Sequence, residues 1–518
     1  MTEINPKPRV TLFKAASRNL IISAGGSVLS YLSFMLVAYM FGATAQTDVF
    51  MFASSFVLVV AALITTVLGA IFLPLYIKLL HGKEGSQRAS IFANAMLFRL
   101  LVIAFAGGAL IFFYPVQLFS IVSRLDVKVL TANANVLVYF SLIFALTVLN
   151  EFLRVLLQAR EAFVPASLSS VLQPAVNVAC VWLLANALGY ECLAIAAAGS
   201  RVLQFLYLLW SVRALGLGMR PSIAHSADIA EFVRVARPYW LASIISTASV
   251  FFYDYVASGL PAGSLTAVAF AQKIYLLPIS LMALPVIEVL NTRMSTHYAR
   301  NERAALESLY ALSIKVAVMA MVPITLLIVF NAHDVATVLL SRGAYSADSL
   351  EITEKSLAVF AMTIPLIALF SINGRIPLVL QNARLSSLMG TCGQLGTIGV
   401  VWLMVHSFGY IGLSVAKLLV ESFFFLPFGF FIVRRYLPAV DFASIRREVV
   451  KIVVAATITL VVPYGLRFTP LGNVGALVFL VCSASCYLLS YYFVCRAMKL
   501  DVLHSLNAAL GLQPTQVV

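Results

Sequence analysis

Fourteen runs of this chain are apolar for long enough to cross a lipid bilayer. They fall near 19–41, 49–77, 91–114, 133–157, 164–187, 191–212, 236–257, 264–291, 308–330, 353–381, 385–406, 409–433, 449–467 and 471–495. An α-helix rises about 1.5 Å per residue, so about 20 apolar residues span the hydrocarbon layer. Inside that layer each backbone N–H and C=O must find its partner within the protein, and helices provide that segment by segment. The balance of residues agrees: 62% are hydrophobic, 11% are charged, and mean hydropathy is +0.98. No soluble globular domain has that make-up. The expected fold is all-α and polytopic, with about 14 transmembrane helices.

The formal net charge of +14 would suggest nucleic acid in a soluble protein. Here most of the cations lie in short loops between the apolar runs. Assigning those loops alternately puts 23 Lys and Arg residues on one side and 5 on the other. The positive-inside rule then places both termini in the cytoplasm, requires an even helix count, and removes the case for nucleic acid. The six cysteines show no CxxC and no Cys/His pairing at metal spacing, so they read as small hydrophobes. Lys14 and Arg18 before an apolar run imitate a signal peptide. The run from Asn19 to Phe41 is too long for one, so it is read as an uncleaved first helix.

The chain repeats itself after about 220 residues. Val181-Trp182-Leu183 and Leu188-Gly189-Tyr190 return as Val401-Trp402-Leu403 and Phe408-Gly409-Tyr410, and Phe52-Ala53 corresponds to Phe270-Ala271. An even number of helices separates the copies, so the halves run in the same direction. The expected organisation is an N-terminal lobe (1–212, helices one to six), a cytoplasmic amphipathic linker (213–235) and a C-terminal lobe (236–433, helices seven to twelve). Helices thirteen and fourteen with a cytoplasmic tail (434–518) complete it. A ligand site is expected between two such parallel six-helix lobes.

Few charges interrupt the apolar runs. In the stretch from Ser258 to Arg293, Lys273 lies about 14 Å along the helix from Ser264 and roughly 27 Å from Asn291. A lysine stem reaches about 6 Å, so this charge cannot easily snorkel out and is expected to face a bundle interior or a watery cavity. Pro278 and Pro285 should kink the same helix. Arg375 and Arg201 are the next deep cations. Asp254, about one turn from the outer face, reads either as a coupling site for Na⁺ or H⁺ or as a solvated interfacial acid. Glu288 closes its segment one turn from Arg293 and is a candidate for coupling or gating. Glu151 with Arg154 and Lys417 with Glu421 are spaced to neutralise each other along one helix. Arg99 and Lys315 lie within two turns of the cytoplasm, where snorkelling suffices.

The segment SGLPAGSLTAVAFAQKIYLLP resembles the turn and eighth helix of the MurJ/MviN lipid II flippases, within the MATE-like (MOP) exporter superfamily. That family usually has Ala-Asp-Arg where this chain has Ala271-Gln272-Lys273. It also has an arginine at the position of Arg375, an aspartate at that of Asp48, and an LFxRGAF-type loop resembling 331–352. Asp48 is read either as a cap on the second helix or as a transport residue. The resemblance implies a multi-pass protein of the bacterial inner membrane that moves an undecaprenyl-diphosphate-linked saccharide, with Lys273 and Arg375 receiving the diphosphate; Arg201 joins them as a candidate for its place inside an apolar run. It departs in the first lobe. The family's SRxxGxxRD is replaced by a stretch with Ser27, Ser33 and Phe34, and its arginine-rich second helix by VVAALITTVLGAIF, with Ala61 and Thr66 in place of charges. A sibling carrying another lipid-linked saccharide, such as an exopolysaccharide precursor, fits these departures.

A diphosphate cannot enter hydrocarbon uncompensated, and fixed deep cations would receive it. No cofactor is expected, and energy would come from a coupling cation (Na⁺ or H⁺) or the membrane potential. The chain is read as a monomer whose partners are the lipid-linked glycan and membrane lipid, with room for cell-envelope biosynthesis enzymes at its loops. The alternative is a MATE-like exporter of small amphiphiles, which would need acidic rather than basic deep sites. An enzyme is disfavoured: DxD, DDxxD, HExxH and Walker A sequences are all absent.

Overall fold

The computed structural model describes residues 8–82, 85–223, 227–380, 382–469 and 475–503. Every regular element among them is helical. Nine of the described helices are long and apolar enough to cross a membrane, or eleven if each of two bent pairs is one crossing. The fourteen apolar runs exceed that number partly because Phe163–Ala214 counts once, although two helices meet in it at Gly189.

The chain divides into two compact units, residues 1–266 with 343–345, and residues 267–342 with 346–518. The first holds α1 (Pro8–Phe41), α2 (Ala45–Leu80), α3 (Gly85–Phe113), the short α4 (Pro115–Val122) and α5 (Val127–Ala132), α6 (Ala134–Ala159), α7 (Phe163–Leu188), α8 (Cys192–Ala214) and α9 (Ala227–Ala257). Here α1 lies on α7, α3 and α8 lie on α6, and α9 lies on α2. Aromatic side chains fill the joints. Phe72 meets Phe92 and Phe152 with centroids 5.2 and 5.3 Å apart, and Phe56 meets Phe251 of α9 at 6.0 Å. Each such pair contributes about 0.5–1.5 kcal/mol beyond its buried area. Residues 217–223 are irregular and rest on α3: the Arg220 N–H donates to Asn94 Oδ1 (3.0 Å) and the Ser222 N–H to Asn94 O (3.2 Å). Arg88 grips buried Asp228 with two hydrogen bonds of 3.0 and 2.8 Å, fixing the start of α9.

The second unit holds α10 (Ser264–Ala283, its first turn counted with the first unit), α11 (Leu284–Ala299), α12 (Arg303–Phe330), α13 (Ala332–Leu340), α14 (Ala347–Ala361), α15 (Ile364–Val379), α16 (Ala383–Phe408), α17 (Tyr410–Tyr436), α18 (Phe442–Leu466) and α19 (Ala476–Ala497). A 43° bend separates α14 from α15. The last two helices are built into this unit: Ile452 and Ala455 of α18 and Tyr491 of α19 share a core with Val318 of α12.

The sequence repeat has a structural counterpart. Gly189 and Gly409 end α7 and α16 with φ of +54° and +57°, and their N–H groups bond to Ala185 O and Val405 O. A side chain is disfavoured at that φ, which is why the repeat keeps glycine there. A second shared device is a five-residue π-helical turn at Leu68–Phe72, Ile279–Ala283 and Glu421–Phe425. Each is followed by Leu-Pro: Leu73-Pro74, Leu284-Pro285 and Leu426-Pro427. Proline offers no N–H to the preceding turn and crowds its carbonyl, and a widened turn relieves both problems without ending the helix. The kink expected from Pro278 and Pro285 takes this form.

Three further glycines stitch the first unit together at one end. Gly42, Gly263 and Gly343 have φ of +64°, +85° and +70°. A Cβ on Gly343 would lie 2.1 Å from Tyr39 O, on Gly42 2.3 Å from Ala344 O, and on Gly263 2.5 Å from Ala43 O. The Ala344 N–H donates to Tyr39 O at 2.9 Å. The Arg-Gly-Ala-Tyr turn of the 331–352 loop is thereby laid against the junction of α1 and α2. We expect Gly343→Val to cost about 2 kcal/mol or more, from the φ and the backbone overlap together. Gly69→Ala, with nothing within 4 Å of its added Cβ, is expected to be neutral. Thermal unfolding of the detergent-solubilised proteins checks both.

Candidate functional site

Three helices of the first unit turn polar faces toward one another. On α6, Thr147, Asn150, Glu151 and Arg154 follow the i, i+3, i+4, i+7 spacing of a single helix face. On α7 the contribution is Ser170 and Gln173, and on α8 it is Arg201 and Gln204, each pair three residues apart. Together they line a cavity of about 340 Å³.

Its interior is cross-linked by hydrogen bonds. Arg201 donates from Nε to Thr147 Oγ1 (3.1 Å) and from Nη1 to Ala197 O (3.0 Å). Buried Asn150 donates to Arg201 O (3.1 Å) and to Gln204 Oε1 (3.0 Å). Gln204 in turn donates to Ser169 O at 3.1 Å. Arg154 and Glu151 form a two-pronged ion pair of 3.0 and 2.6 Å. Among the described residues no carboxylate lies within 4.0 Å of Arg201, so the cavity's surplus positive charge is that guanidinium. The sequence reading singled out Arg201 and the Glu151/Arg154 pair separately. It missed Thr147, Asn150, Ser170, Gln173 and Gln204, whose helical spacing was the available signal.

The other candidates stand elsewhere. Asp48 is buried, and its carboxylate accepts from the Gly263 N–H (2.6 Å), the Thr266 N–H (2.8 Å) and the Thr266 hydroxyl (2.6 Å). It therefore caps the first turn of α10, more than 200 residues away in sequence, while Thr44 caps the local helix through the Thr47 N–H. The cap expected of Asp48 is on the second helix; its hydrogen bonds go instead to the start of α10. Asp254 on α9 accepts a hydrogen bond from Ser55 of α2. Lys273 lies on an exposed face of α10. Arg375 is half-buried on α15, two residues from Asn373, which accepts from the Tyr310 hydroxyl at 2.8 Å. The Glu288 side chain lies outside the described residues. Lys417 and Glu421 are paired at 2.7 Å, and Lys315 donates to Ser444, in the first turn of α18, at 2.9 Å.

The positions that lost charge serve packing. The Ser33 hydroxyl donates to Asn177 Oδ1 of α7 at 2.8 Å, and a Cβ on nearby Gly26 would sit 3.1 Å from Ser170 O. Such small residues let helices approach closely in lipid. Ala61 is buried in the core, and the Thr66 hydroxyl turns back on Ala62 O at 2.7 Å.

A model of the family described as lipid II flippase MurJ matches residues 37–483. The chain belongs to the MurJ family. It is therefore a multi-pass membrane transporter of a family that flips lipid-linked precursors. A probable lipid II flippase MurJ of Aquifex aeolicus is 24% identical over 430 residues, covering 80% of this chain and 82% of its own length. A MurJ relative from Rickettsia prowazekii is 22% identical over 223 residues, covering 41% and 42% of the two chains. Among solved structures, a lipid II flippase MurJ in an inward closed conformation superposes with a TM-score of 0.79 at 18% identity, covering 92% of this chain and 98% of that one. An inward-facing MATE multidrug transporter of the MOP superfamily gives 0.63 at 16% identity, covering 82% and 95%. The chain thus shares the MurJ fold, and its fold is also like that of MATE transporters.

Asp48 is expected to matter to MurJ-fold stability. Asp48→Ala removes all three acceptor contacts and should cost about 2–4 kcal/mol. Asp48→Asn keeps one acceptor oxygen and should cost roughly half of that. Thermal unfolding of both variants beside the wild type measures the difference.

Proposed function

We propose that this MurJ-family protein moves an undecaprenyl-diphosphate-linked saccharide from the inner to the outer leaflet of the bacterial cytoplasmic membrane by alternating access. The observation that carries the reading is the family match over residues 37–483. The charge asymmetry of the loops supports both termini in the cytoplasm. Lys273 and Arg375, cations within apolar helices α10 and α15, suit a diphosphate: the guanidinium offers two parallel donors and the ammonium a point charge. Ser33 and Ala61 stand where lipid II flippases of this family carry charge, and both are used in helix packing. That favours a precursor other than lipid II, such as an exopolysaccharide unit.

Asp254 favours one competing reading, a cation-coupled exporter of small amphiphiles, because it places an acid between α9 and α2 with Ser55 as its hydrogen-bond donor among the described residues. In the flippase reading the same acid is a seat for a coupling Na⁺ or H⁺.

Mass spectrometry of lipid-linked glycans after depletion of the protein separates these readings. We expect a polyprenyl-linked saccharide other than lipid II to accumulate. Lys273→Ala and Arg375→Ala should each slow its clearance about tenfold or more. Accumulation of lipid II would make the chain a peptidoglycan flippase. Accumulation of no lipid-linked glycan, with resistance to cationic dyes on overexpression, would overturn the flippase reading in favour of the exporter.

A further inference from the structure

The polar cavity inside the first unit contains a charge problem that the protein itself leaves unsolved. Arg201 is nine residues from Cys192 and thirteen from Ala214, the ends of α8. That is about 14 and 20 Å along the helix axis, beyond the reach of an arginine side chain to either end. A guanidinium at such depth is costly unless something neutralises it. Arg154, in the same cavity, is neutralised on both prongs by Glu151. Arg201 is not: it spends two of its five N–H groups on neutral oxygens, Thr147 Oγ1 and Ala197 O. The remaining three meet no protein acceptor among the described residues. A second imbalance lies beside it. Asn150 Oδ1 is buried without any donor, although its amide nitrogen is used twice.

We propose that this cavity is a binding site for a phosphate group that carries an adjoining sugar. The phosphate oxygens would take the open edge of the Arg201 guanidinium, the donor geometry that suits a phosphoryl group. A sugar hydroxyl would donate to Asn150 Oδ1 and meet Gln173 and Ser170 on the facing helix. A bare phosphate satisfies the first imbalance but, when fully ionised, supplies no proton for the second. The volume of about 340 Å³ is at the small end of ligand pockets, enough for one sugar phosphate and too little for a branched glycan. Arg201 belongs to the first unit, and Lys273 and Arg375 belong to the second. The chemistry stands without the flippase reading. That reading bears only on whether the sugar phosphate comes from a lipid-linked precursor or from solution.

The test is equilibrium binding of glucose 1-phosphate to the purified full-length chain in nanodiscs of neutral lipid, read by calorimetry. Wild type is expected to bind it more tightly than inorganic phosphate. Arg201→Gln should weaken binding about tenfold or more, and Lys128→Ala, at an exposed lysine of the same unit, should leave it unchanged. Because Arg201→Gln changes the packing of α8, a second variant, Ser170→Phe, fills the cavity while keeping the guanidinium, and it should abolish binding. Farnesyl diphosphate supplied in the nanodisc identifies the source: displacement of glucose 1-phosphate points to a lipid-linked headgroup, and no displacement points to a soluble sugar phosphate. Absence of glucose 1-phosphate binding to wild type at about 10 mM overturns the proposal. So does unchanged binding in both Arg201→Gln and Ser170→Phe, or loss of binding in Lys128→Ala. Retained binding at Arg201, with no lipid-linked glycan accumulating on depletion, would keep this site and remove the flippase reading.

Discussion

A peptide group inside hydrocarbon has no water to bond with, and much of this structure follows from that. The apolar runs become helices because only a helix satisfies every interior N–H and C=O within its own run. The exceptions are handled locally. Where Leu-Pro interrupts α2, the α10–α11 junction and α17, a π turn precedes it and the helix continues. Where α7 and α16 end, a left-handed glycine returns one N–H to the last turn. Where α10 begins, its exposed N–H groups are taken by a carboxylate from another helix, Asp48. The same accounting that forces helices thus decides where their breaks can be placed.

Charge is treated with similar economy. Most of the ionic groups inside the apolar runs have a partner close at hand: Glu151 with Arg154, Lys417 with Glu421, Lys315 with Ser444, Asp254 with Ser55. The first two are ion pairs that cancel charge, and in the last two a hydroxyl solvates the ion without cancelling it. Arg201 is of the second kind. Its surroundings are rich in amides and hydroxyls, which solvate a cation without cancelling it. The positions on α1 and α2 where MurJ relatives carry charge are given over to close helix contact, at Ser33 with Asn177 and at buried Ala61. Positive charge in the first unit has not vanished with them. It is carried by Arg201 on α8 and by Arg99 on α3.

The features that could be read from sequence are the local ones. Apolar length gave the helices, the Gly189 and Gly409 repeats marked equivalent helix ends, and i,i+3 or i,i+4 spacing identified the ion pairs. Interactions within one helix leave a periodic trace. Interactions between helices do not. Nothing near Asp48 says that its partners are Gly263 and Thr266, because the capping bond is set by how α2 and the start of α10 are placed in space. The cavity is an intermediate case. Each of its three polar stripes has helical spacing, but a stripe on one helix could face lipid headgroups, a neighbour or nothing. Only the packing of α6, α7 and α8 brings the stripes to a common centre.

The glycine stitching has a consequence for how such a protein is made. The first unit is not contiguous: its helices end with α9 and the start of α10, but residues 343–345 complete the junction of α1 and α2. During synthesis the first nine helices must wait while some eighty further residues emerge before Tyr39 O receives its N–H from Ala344. Contacts so distant along the chain are slow to form and leave earlier segments open in the meantime. The first half of this repeat protein therefore cannot finish folding on its own. Its closure depends on the second half having begun, which ties the maturation of the two halves into one event.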